Sequence, residues 1–131
     1  MKYVSKYWGT ILHIYDFIYM ENYYYFNVSN EQEYNQILKI RFKIDRPSNK
    51  ADETDGGFNV YEHNGTEVCF IWSKGKDVSI IAHECMHAVG YVLRRKGIPF
   101  NADTDEAYAY LLQFLVKEIM SNKNKVKKNK C

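Results

Sequence analysis

Residues 77–96 read DVSIIAHECMHAVGYVLRRK. Asp77 offers a side-chain acceptor for the first free amides of a helix. Gly97 and then Pro99 stand where a helix stops. Within this helix His83-Glu84-Cys85-Met86-His87 forms an H-E-x-x-H pattern. Residues i and i+4 share a helix face one turn apart, so both imidazoles can point at one metal ion. Glu84 is rotated by about 100° from His83. It is displaced from the ligand pair, yet placed to hydrogen-bond a water beside the metal, which is the position of a general base. Cys85 falls about 200° from His83 and reads as core packing, as do Met86 and Cys69. Gly90 reads as a point of close packing against a neighbouring element.

A catalytic zinc site takes three protein ligands and keeps one position open. The other histidines, His13 and His63, lie upstream and read as strand residues. Downstream the candidates are Asp103, Asp105 and Glu106, with eighteen residues between His87 and Glu106. Asp103 or Thr104 can cap a second helix, 104–121, with an apolar face of Tyr108, Leu111, Leu112, Leu115 and Ile119. From His87 to residue 96 the first helix rises about 14 Å. Residues 97–103 span at most roughly 24 Å. The chain can therefore fold back antiparallel and bring Glu106 level with His87.

Upstream, 58–63 and 67–73 flank Asn64-Gly65, the strongest short hairpin signal. Residues 30–44 carry Tyr34, Ile37, Leu38 and Phe42 at helical spacing, with Ser29 or Asn30 as cap. Residues 45–57 read as a loop. Residues 10–19 and 22–28 are β-branched and aromatic, with a turn at Met20-Glu21. The expected fold is α+β, a small mixed or antiparallel sheet with about three helices. It forms a single domain over 1–121, followed by a basic tail, 122–131, solvated and frayed.

The chain has 131 residues, enough for one core without a disulfide or a metal to hold it. Its net charge of +2 does not favour nucleic acid as a partner. Abundant Tyr, Lys and Asn fit an AT-rich genome, such as that of a low-GC bacterium or its phage. Cys69, Cys85 and Cys131 form no C-x-x-C pair, which reads as free thiols in a reducing compartment and a cytoplasmic location. No apolar run is long enough for a transmembrane helix, so no membrane is expected as a partner. Lys2 and Lys6 precede an apolar run over 7–20, but His13 and Asp16 interrupt it and no small-residue cleavage site follows, which argues against a signal peptide.

H-E-x-x-H followed after eighteen residues by Glu resembles the zinc signature of the gluzincins, the metallopeptidase group of thermolysin and the zinc aminopeptidases. The resemblance covers 77–112. It includes Asp105-Glu106-Ala107-Tyr108-Ala109-Tyr110, similar to the Asn-Glu-x-x-Ala pattern of that group with Asp105 in place of Asn. It implies a miniature zincin-like domain with Zn2+ held by His83, His87 and Glu106. Glu84 is then the general base in hydrolysis of a peptide or protein substrate. The strand before the motif helix borders the cleft in that group and pairs with extended substrate; 67–73 stands in the matching place.

The chain also departs from the group. The aspartate expected one turn after the glutamate ligand is Tyr110 here, and Asp103, one turn before Glu106, is the substitute. No histidine follows His87 to stabilise a transition state. Tyr108, Tyr110 or Tyr91 can supply a hydroxyl instead, and Arg94 or Arg95 a charge. Asp105-x-x-Tyr108 is similar to the Asp-x-x-Tyr of the aspzincins, which makes Asp105 the alternative metal ligand. These departures also admit a second reading, a catalytically inactive zincin-fold module that binds a partner protein.

Overall fold

The computed structural model describes residues 3–8, 11–46 and 54–122. It is an α+β fold with a five-stranded mixed sheet and three helices. In chain order the elements are β1 (Tyr3–Trp8), β2 (Ile11–Asp16), β3 (Glu21–Val28), α1 (Glu31–Phe42), β4 (Gly56–His63), β5 (Thr66–Lys74), α2 (Val78–Arg95) and α3 (Asp105–Ser121). The strand order is β1-β2-β3-β5-β4. β3 and β5 run parallel, and every other neighbouring pair is antiparallel.

Both faces of the sheet are covered. Tyr34, Leu38 and Phe42 of α1 meet Tyr24, Phe26, Phe70 and Trp72 on one face. Residues of α2 and α3, among them Cys85, Val89, Leu111 and Leu115, meet Leu12, Ile14, Tyr23, Tyr25, Cys69 and Ile71 on the other. A strand buried on both sides has no polar alternation, which is why Tyr23-Tyr24-Tyr25-Phe26 is an unbroken aromatic run with every member buried. The Tyr25 hydroxyl is 2.5 Å from Ser73 Oγ, and burial pushes its pKa up to about 12.

The turns follow local chemistry. Asn64 and Gly65 both take positive φ, as a two-residue hairpin requires. Asn30 accepts a bond from the Glu33 amide at 2.8 Å and starts α1. Gly97, at φ 80, lets the Ile98 amide return to the Leu93 carbonyl at 2.9 Å and close α2.

Several expectations need correction. β1 was not anticipated. The strand expected over 10–19 ends at Asp16, whose carboxylate accepts the Ile18 amide at 2.8 Å and turns the chain over residues 17–20. β4 starts at Gly56, inside the expected loop. The strand over 67–73 is not an edge. β5 is paired on both sides, so its backbone is already satisfied, and β4 is the edge strand beside it. Nearly all of the tail, 123–131, lies outside the described residues. No helix among the described residues is long and apolar enough to cross a membrane.

Candidate metal centre

α2 is fixed before its histidines are reached. Asp77 accepts from the Ser79 amide at 2.9 Å and from the Ser79 hydroxyl at 2.7 Å. Ile81, Cys85, Ala88, Val89, Val92 and Leu93 bury its inner face. The far end is pinned ionically. Arg95 pairs with the buried Glu21 and lies 3.3 Å from Glu67, and Lys96 lies 3.5 Å from Glu21. With that face inward, His83 and His87 project outward and are exposed.

The two imidazole rings lie 5.0 Å apart, centre to centre, at 78°. One nitrogen from each and a carboxylate oxygen of Glu84 all fall within 4.8 Å of one another. Glu84 is only 9% exposed. Burial raises its carboxyl pKa, and the neighbouring His83 and His87 oppose that rise. Two imidazoles and one carboxylate are ordinary donors for zinc and other first-row divalent ions. Among the described residues this is the one group of three or more such side chains arranged to hold a metal ion.

Edge strand β4 runs over the group. Phe58 lies against His87, ring centres 6.3 Å apart and nearly parallel, and against Tyr91 at 6.2 Å. At Gly56 the backbone comes so close to α2 that a Cβ would sit 3.2 Å from Glu84 Cγ and 2.9 Å from Ile80 Cγ2. A cavity of about 440 Å³ joins His83 and Glu84 to Asp55, Gly56, Ser79 and Ile80. Asp55, Gly56 and Phe58 were not anticipated as site residues. The Gly56-Gly57 pair was the available signal, since glycine in a strand marks close backbone approach.

The remaining candidates disperse. Glu106 and Asp105 sit exposed in the first turn of α3, and Asp103 is exposed just before it. None of the three joins the His83, Glu84 and His87 group. Tyr108 is buried and donates to the Ile98 carbonyl at 2.7 Å, so it fastens α3 to the turn after α2. Tyr91 donates to Glu67 at 2.7 Å, and Arg95 is held by Glu21 and Glu67. Tyr110 is 61% exposed. Cys85 and Cys69 are buried, as expected, but Met86 is exposed. At Gly90 the nearest atoms to an added Cβ belong to Arg94 of the same helix, not to a packed neighbour.

No known protein family, curated protein or solved structure matches the chain.

Proposed function

We propose that the chain is a small zinc-dependent metallopeptidase of zincin type, acting on a peptide or protein substrate. The observation that carries this reading is the convergence of His83, Glu84 and His87 on the outward face of α2, beneath an edge strand. His83 and His87 hold the metal. Glu106, exposed on α3, which packs against α2, would be the third ligand. Asp105 is the alternative.

A zinc ion held there would supply Lewis-acid polarisation of the scissile carbonyl and of water. Glu84 takes the proton from the attacking water and delivers it to the leaving amine. Phe58 steadies the His87 ring. Among the described residues no strand pairs with the outer edge of β4, and that edge would receive an extended substrate. The free thiols of Cys69 and Cys85 support a reducing, cytoplasmic setting.

The test is Glu84→Gln. The variant should keep its zinc and lose peptide hydrolysis by about 100-fold or more, as read by mass spectrometry of a digested peptide library. Undiminished cleavage would remove Glu84 from the mechanism.

One observation favours a second reading. Tyr91, Tyr108 and Arg95 are all engaged elsewhere, which leaves Tyr110 and Arg94 as the remaining candidates to stabilise a transition state. A zincin fold that binds a protein partner without cutting it fits that arrangement. Zinc-dependent cleavage of library peptides would exclude it.

A further inference from the structure

The cavity beside His83 and Glu84 has a chemistry of its own. Its walls are the first turns of α2, through Ser79 and Ile80, and the start of β4, through Thr54, Asp55 and Gly56. Gly56 carries no side chain into it, and a Cβ there would collide with Ile80. Apart from the metal-site residues, Asp55 is the one charged side chain lining it among the described residues.

The backbone of Asp55 is fixed, because its carbonyl accepts the Lys74 amide at 2.8 Å. Its carboxylate is not fixed. It is 67% exposed, and its cationic neighbour, Lys74 Nζ, stands 3.9 Å away and is itself half exposed. Such a pair contributes little and is readily exchanged for a better-placed cation. The uncharged remainder of the cavity, Ile80 with the Ser79 and Thr54 hydroxyls, suits the methylene stem of a long side chain.

We propose that Asp55 is a specificity-determining residue that selects a cationic side chain, Lys or Arg, next to the scissile bond. The inference rests on the peptidase reading and names its substrate class. Lys74 competes with the substrate for Asp55, so Asp55→Asn and Lys74→Ala act in opposite directions. A purely structural role for Asp55 does not produce that opposition.

The test uses two peptide pools, random except for one fixed position that holds lysine in one pool and norleucine in the other. Zinc-loaded wild-type protein should cut the lysine pool faster, with lysine flanking the cut. Asp55→Asn should reduce the preference by roughly fivefold, the worth of one part-exposed charge pair, and Lys74→Ala should increase it. A readout independent of turnover comes from zinc-loaded Glu84→Gln, which should retain the lysine pool over the norleucine pool. Adding Asp55→Asn to it should abolish that selectivity. Cleavage without lysine preference, or a preference unmoved by Asp55→Asn, overturns the inference and leaves the peptidase reading standing. No cleavage of either pool by the wild type overturns both.

Discussion

Among the buried carboxylates of this fold, Glu84 and Asp16 each have a pKa raised by burial. Glu84 faces two imidazoles and a cavity. Asp16 faces the turn it organises, accepting from the Ile18 and Tyr19 amides, while its Oδ2 has no hydrogen-bond partner among the described residues. A carboxyl whose folded pKa lies above its unfolded value binds more protons folded than unfolded between the two values. Its contribution to stability is therefore present at acid pH and lost as pH rises from about 4 through the raised value. Asp16→Asn should remove that loss. Urea midpoints should fall less from pH 4 to pH 7 in the variant than in the wild type, and an unchanged difference would refute the assignment. The roles of the two carboxylates were unequally legible. The nearness of Glu84 to His83 and His87 could be read from its place between them on a helix. The part played by Asp16 could not, because in sequence that residue only interrupts an apolar run.

The elements were legible where a period or a cap announced them. α1, α2 and α3 stand close to their expected bounds, because Asn30, Asp77 and Gly97 mark their ends and apolar spacing marks their lengths. The hairpin of β4 and β5 followed from Asn64-Gly65. β1 escaped because its partner is chosen by pairing, and Gly9-Thr10 lacks the Asn-Gly signature of a tight turn. The exchange of β5 for β4 as edge strand escaped for the same reason: β3 joins β5 across α1 and β4, a contact no local pattern encodes. Glycine substitutions separate the elements energetically. At Gly57 a Cβ would lie 2.3 Å from Trp72 Nε1, on a fully buried ring that cannot yield. Gly57→Ala should therefore cost about 1–3 kcal/mol of stability in chemical denaturation. At Gly90 the atoms nearest a Cβ are the end of the Arg94 side chain, which can swing away. Gly90→Ala should stabilise the protein by about 0.5–1 kcal/mol, the helical preference of alanine over glycine. The opposite order would contradict the packing described for β4 and α2.

For the whole molecule, the three layers divide the labour. The α1 face is an aromatic core, with Tyr34 and Trp72 stacked at 5.5 Å, and it holds β4 and β5 in register. The opposite face carries α2, which is clamped at its C-terminal end by Glu21, Glu67, Arg95 and Lys96 and is open at its middle, where the histidines stand. The pairing of His83 with His87 was legible from spacing alone. The third ligand was not, because the placement of Glu106 depends on how α3 sits on α2, and the structure leaves its carboxylate outside the histidine group. In the proposed site Glu106 would join from a second helix, which would tie α3 to α2 through the ion. The most direct test is metal content by mass spectrometry of untagged protein purified without added metal, alongside His83→Ala and Glu106→Ala. The account predicts about one zinc per chain in the wild type, none in His83→Ala and weakened retention in Glu106→Ala. A wild-type chain without metal that takes up no zinc on titration, or one whose zinc survives His83→Ala, would contradict it.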